Sequence, residues 1–100
     1  MLHLIAVVIA LALPAPPHAQ LWQCVHRNEH SAWNDPNPPY YGGLQLGQWF
    51  LDHYKHPRGT PDQWTPLQQM WVAELAFRRE GYSVSWFNGQ WPPSAGRCGL

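Results

Sequence analysis

Apolar residues follow different rhythms along this chain. Every position from Leu4 to Leu13 is apolar, and no later run is as long. Leu21, Trp22 and Val25 then recur at helical spacing, with polar residues between them and Glu29, which predicts a helix over Leu21–Glu29. Asn34-Asp35-Pro36-Asn37-Pro38-Pro39 predicts an extended loop, because each proline fixes its own φ and restrains its predecessor. Tyr40-Tyr41 reads as a short strand and Gly42-Gly43 as a turn with positive φ. A second helix is expected from Leu44 to about His53, with Leu46, Trp49, Phe50 and His53 on one face.

The third helix has the clearest boundaries. Thr65 is placed as N-cap, Pro66 as first residue, and Gln68 completes a capping box. Leu67, Met70, Trp71, Glu74, Leu75 and Arg78 follow the 3.6-residue period, and Gly81 suits the residue after the end. Lys55 to Asp62 is a turn-rich connector. Tyr82 to Leu100, rich in aromatics, Gly and Pro, is expected to be irregular and to wrap the core.

The opening apolar run is too short to span a bilayer, which needs about 20 apolar residues. Followed by Pro14, Pro16, Pro17 and Ala19, it has the h-region and c-region of a secretory signal peptide, here residues 1–19, with the folded domain expected over 20–100. The n-region carries His3 but no Lys or Arg, and Pro17 stands three residues before a cut after Ala19. Export implies an oxidising compartment, so Cys24 and Cys98, the chain's two cysteines, are expected to be joined. A domain this small buries only about 60% of its unfolded surface. Its seven tryptophans, all after Ala19, supply compensating apolar mass.

Six Lys and Arg balance six Asp and Glu, and the basic residues are scattered. Nucleic-acid binding needs clustered cations and is disfavoured on that ground. Candidate chemistry centres on Glu29, a carboxyl at the end of an apolar helix followed by a Gly turn flanked by aromatics. Cleavage of a glycoside needs a proton donor held in a partly dry pocket so that it stays protonated. Trp33, Tyr40 and Tyr41 could line a saccharide groove, Gly43 could let backbone approach a sugar amide, and Gln45 could bond an N-acetyl or hydroxyl group. Strand alternation points the two tyrosines to opposite faces. Asp35 and Asp52 are further carboxylates, but capping the Pro-rich turn and solvation on a helix account for them equally well.

Taken together, Cys24, the following Glu, Trp33, Tyr40-Tyr41-Gly42-Gly43-Leu44-Gln45 and a late Cys98 resemble the transglycosylase-like domain of actinobacterial resuscitation-promoting factors. In that family's usual pattern the glutamate directly follows the first cysteine. Here Val25 to Asn28 intervene, about one helical turn, and a lysozyme-like subgroup beginning Cys-x-His-Arg-x-Glu is the closer match. The resemblance implies a miniature lysozyme-like fold: α+β, mainly helical, with a short β-hairpin and one disulfide. It implies a secreted, wall-associated monomer that cleaves peptidoglycan between N-acetylmuramic acid and N-acetylglucosamine. Glu29 would be the single general acid/base, and Trp33, Tyr40, Tyr41, Gly43 and Gln45 would contact the glycan strand. It calls for no cofactor, no metal, no nucleic acid and no stable membrane association.

Two other readings share these residues. One is a module of the same fold that grips glycan without cutting it. The other takes His26-Arg27-Asn28-Glu29-His30 as H-x-x-E-H, with both histidines on one helix holding zinc and Glu74 or Glu80 as third ligand.

Overall fold

A computed structural model of the chain describes residues 13–100, so most of the expected leader lies outside the described residues. The fold is mainly helical with one small sheet. Helix α1 spans Ala19–Glu29, strand β1 Tyr40–Tyr41, strand β2 Leu46–Gly47, and helix α2 Gln48–His53. A 3-10 turn at Pro61–Gln63 precedes helix α3, Pro66–Arg79. Helix α4, Val84–Gln90, and a 3-10 turn at Pro92–Ser94 complete the order. The strands pair antiparallel, Tyr40 opposite Gly47 and Tyr41 opposite Leu46. Among the described residues no helix is long and apolar enough to cross a membrane.

An aromatic cluster forms the core. Trp22 of α1 meets Phe77 of α3 at 5.8 Å and Trp91 at 5.3 Å between ring centroids, and Phe87 of α4 packs on Trp91 at 5.4 Å. All four rings are at most 1% exposed. Buried indole N–H groups need acceptors, and both find one: Trp22 Nε1 donates to Glu74 Oε1 at 3.0 Å and Trp91 Nε1 to the Leu44 carbonyl at 2.8 Å.

Helix α3 keeps the boundaries its caps dictate. Thr65 Oγ1 accepts from Gln68 N at 3.1 Å and the Gln68 side chain accepts from Thr65 N at 2.9 Å. Past its end, Gly81 lies at φ 68° and Tyr82 N donates back to the Phe77 carbonyl at 2.9 Å. Its buried face differs from the expected one. Gln69, Met70, Val72, Ala73, Glu74, Ala76 and Phe77 point inward, while Leu75 is 46% exposed and Arg78 is exposed. The aromatic cluster fixes the rotation of α3 by demanding Phe77, and Phe77 and Leu75 cannot both face it.

Three other expectations are corrected. The helix expected from Leu44 begins only at Gln48, because Gln45 takes a left-handed backbone at φ 53° and Leu46–Gly47 pairs as β2. Trp49 consequently leaves the buried face, where Phe50 and Leu51 stand instead. The C-terminal stretch is not wholly irregular: Ser83 caps α4, its Oγ accepting from Trp86 N at 3.1 Å. Helix α1 starts at Ala19, two residues before the predicted point. Ahead of it, the Pro14 carbonyl accepts from Trp71 Nε1 and His18 N donates to Glu74, both on α3.

Cys24 and Cys98 form a disulfide that ties α1 to the end of the chain, as expected. The linked residues are 74 apart in sequence, and closing a loop of that size in the unfolded chain corresponds to about 4 kcal/mol in the chain-entropy model. A Cys24→Ser/Cys98→Ser double variant is expected to lose stability approaching that amount. Urea unfolding with and without reductant checks it: the reduced wild type should match the variant.

Candidate functional site

Glu29 is the last residue of α1. The helix stops there because His30 adopts a left-handed conformation at φ 55°. Contacts on either side of Glu29 fasten this helix end to the Gly42-Gly43 turn. His26 Nδ1 lies 3.0 Å from the Gly43 carbonyl, and Ser31 Oγ donates to the Gly42 carbonyl at 2.9 Å. A carbonyl can only accept, so His26 carries its proton on Nδ1. Glu29 is half-buried, and its Oε2 is buried without a hydrogen-bond partner. Burial raises the carboxyl above its ordinary value of 4.5, opposed by the charge of His30. A carboxyl that loses water and gains no donor favours its protonated form.

Glycine is required at both turn positions, for different reasons. Gly42 lies at φ 76°, and a Cβ there would strike the Gln69 side chain. At Gly43 close approach is the constraint: a Cβ would run into the Trp33 ring and, at 2.7 Å, into His26 Nδ1. Trp33 is half-buried and stacks on His26 with centroids 4.0 Å apart and planes 20° from parallel. The expected site residues Trp33 and Gly43 therefore gather beside the end of α1 that bears Glu29.

Gln45 joins them, but largely as a structural amide. Its Nε2 donates to Asp35 Oδ2 at 2.9 Å and to the Gly42 carbonyl at 3.0 Å. Both amide protons are thereby engaged, leaving only the oxygen free to accept. Asp35 is engaged through both oxygens, since its Oδ1 also accepts from Asn37 N at 3.2 Å and Asn37 Nδ2 at 2.7 Å. Asp52 is exposed and accepts from Gln48 Nε2 at 2.7 Å.

The tyrosines diverge. Tyr41 is half-buried in the hairpin. Tyr40 is 54% exposed, with its ring against Gly47, where an added Cβ would lie 2.8 Å from Cδ1 and Cε1. Tyr40 lines an open cleft of about 330 Å3 with Trp49, Gly47, Gln48, Gly89 and Gln90. Glu29 does not line it. Trp49, expected on one helix face with Leu46, Phe50 and His53, is 52% exposed at its rim and stacks on His53 at 4.0 Å.

Sequence reasoning missed Gln69. This amide is fully buried on α3. Its Oε1 accepts from Gly43 N at 2.9 Å, and its Nε2 donates to the carbonyls of Trp33 at 2.7 Å and Trp64 at 3.1 Å. The available signal was an amide beside Met70 and one turn from Ala73, on a face otherwise apolar.

The geometry does not assemble the zinc arrangement. Among the described residues no three His, Cys, Asp or Glu side chains form a group able to hold a metal. His30 lies beyond the helix, so it does not share a face with His26. Glu74 is bound to His18 and Trp22, and Glu80 accepts from the Tyr54 hydroxyl at 2.8 Å.

Two substitutions test the turn. Gln69→Leu keeps the volume but leaves one N–H and two carbonyls without their partner, at roughly 1–3 kcal/mol for each group that stays dry. Gly43→Ala forces the Trp33–His26 stack aside, at about 1–3 kcal/mol. Both should lower the urea midpoint without changing the slope. Neither a family model, nor a curated protein, nor a solved structure matches the chain.

Proposed function

We propose that this protein is an exported peptidoglycan-cleaving enzyme with a lysozyme-like fold, using Glu29 as general acid and then base. The observation that carries the reading is the half-buried Glu29 carboxyl, whose Oε2 has no donor and whose proton affinity is raised by burial. Burial without a compensating donor favours the protonated form, the form a general acid needs. The Tyr40–Gln45 string adds the family resemblance, and Trp33 and Gly43 pack on His26, about one helical turn before the acid on α1.

The chemistry runs through one carboxyl. Glu29 gives its proton to the bridging oxygen as the bond from muramic acid C1 breaks, and the N-acetylglucosamine leaves. The resulting carboxylate takes the proton of the muramic 6-hydroxyl, whose oxygen closes on C1 to form the anhydro ring. This route dispenses with a second carboxylate, and Asp35 has both oxygens engaged in its own loop, by Asn37 and Gln45. The exposed rings of Tyr40 and Trp49 offer stacking surfaces for further sugars along the strand.

Glu29→Gln is expected to reduce clearing of purified cell walls by about 10²–10⁴-fold, the range for loss of general acid–base assistance. The variant should be at least as stable as wild type at neutral pH. With a raised folded-state value, the wild-type carboxyl stabilises the fold fully below about 4.5 and loses that contribution as pH rises through the raised value; the neutral amide has no such loss. Activity of the wild type should fall over the same alkaline limb. Equal clearing by wild type and variant would refute the role of Glu29. Wall binding by both proteins without cleavage by either would make the protein a glycan-binding module. Mass spectrometry of the digest separates anhydro-muramyl ends, expected here, from the reducing ends of hydrolysis.

A further inference from the structure

We propose that α3 and the residues following α2 enclose a binding groove for an amphiphilic anion, an aliphatic chain ending in a carboxylate. The proposal is independent of Glu29 and of the glycan reading. The groove runs between α3 and residues 54–57. One lobe, of about 240 Å3, is formed by Tyr54, Lys55, Leu75, Ala76 and Arg79. A second, of about 330 Å3, shares Lys55 and Leu75 with the first and reaches Trp71, Val72 and His56. Leu75, which Phe77 keeps out of the core, thus lines both lobes.

The walls are apolar because their polar atoms are already engaged. The Tyr54 hydroxyl donates to Glu80 Oε2 at 2.8 Å and accepts from Trp86 Nε1 at 2.9 Å. Trp71 Nε1 donates to the Pro14 carbonyl at 2.7 Å. His56 turns both ring nitrogens to carbonyl oxygens, Nδ1 at 2.7 Å from Pro57 and Nε2 at 3.0 Å from Leu51. The two cations of the groove are in the opposite state. Among the described residues the single ion pair is His18–Glu74, so neither Lys55 nor Arg79 has a carboxylate partner. Arg79 is oriented by the His53 carbonyl, to which its Nη1 donates at 3.2 Å, and by the Tyr54 ring, whose centroid lies 5.9 Å from the guanidinium carbon. Its other donors remain for a planar acid group.

This combination selects the occupant. A wholly apolar segment would take water from Lys55 and Arg79 and return no counter-charge. A small hydrophilic anion would leave the walls wet and rest on exposed ion pairs alone, which are weak. An aliphatic carboxylate meets both demands. Its chain covers Leu75 and Trp71, removing apolar surface from water. Its head takes the free edge of Arg79 and the Lys55 ammonium.

The test titrates the purified protein with octanoate and, in parallel, with octanol. The Trp71 indole N–H and the Leu75 methyls are followed by NMR. Octanoate should shift both signals and bind about tenfold more tightly than octanol. Butanoate should bind more weakly than octanoate, by up to about fourfold for each methylene removed. Lys55→Gln/Arg79→Gln should lower octanoate affinity to that of octanol, and Leu75→Glu should abolish binding of both. All three side chains are exposed, so the variants should melt close to wild type. No binding of octanoate, equal affinity for the acid and the alcohol in wild type, or unchanged binding by either variant overturns the proposal. Octanoate shifts confined to the Tyr40–Trp49 cleft overturn it as well. So does a dimer in light scattering that Leu75→Glu dissolves, since the occupant would then be a second copy of the chain.

Discussion

The buried amide of Gln69 holds the candidate site together. Three backbone segments that share no regular structure meet at it: the Gly turn, the loop after α1, and Trp64 just before the N-cap of α3. Loops ordinarily satisfy their polar groups with water. Here the loops are drawn against α3, where Gln69 is fully buried, and one side chain with two donors and an accepting oxygen satisfies them. The glycines follow from that arrangement. Gly42 leaves room for the Gln69 oxygen, and Gly43 leaves room for the Trp33–His26 stack. The turn is thus shaped as much by what packs over it as by its own backbone.

Two carboxyls sit out of bulk water in this small domain, and their surroundings push them in opposite directions. Glu74 is penalised by burial, but hydrogen bonds from the His18 side chain, Trp22 and the His18 backbone outweigh that and hold it below its ordinary value. Glu29 suffers burial and has only the charge of His30 in opposition, so its value rises. The contrast separates a carboxylate whose charged form is favoured by its donors from one whose charged form is disfavoured by burial. Glu74 joins elements. Glu29 leaves Oε2 without a partner, an arrangement that costs stability.

What the sequence made legible was whatever depends on near neighbours. The capping box at Thr65, the stop at Gly81, the strand pair at Tyr40-Tyr41 and the end of α1 at Glu29 are set by residues within a few positions. The errors came from distant partners. Trp49 satisfies a helical period counted from Leu44, yet the left-handed Gln45 resets that count, and its amide is held by Asp35 ten residues earlier. Leu75 fits the period of α3 as well as Phe77 does, and only the aromatic cluster from α1 and α4 decides between them. Gln69 was invisible for the same reason: its three partners lie on loops whose positions no local pattern reveals. Within the site, Glu29, Trp33 and Gly43 could be read from one stretch of chain, whereas the amide that fixes them could not.

Helix α1 shows how a domain this short can hold one side chain still. Its start is fastened by the His18–Glu74 contact, its middle by the disulfide at Cys24, and its end by His26 and Ser31 on the Gly turn. Trp22 and Val25 bury its inner face between those anchors. Each fastening is of a different kind, so no single weakness of a small core releases the helix. A proton donor must keep its position to a fraction of an ångström against the bond it serves. In the proposed role Glu29, at the tip of α1 and one residue before the backbone reverses at His30, would meet that demand through the helix, since its Oε2 has no hydrogen bond of its own.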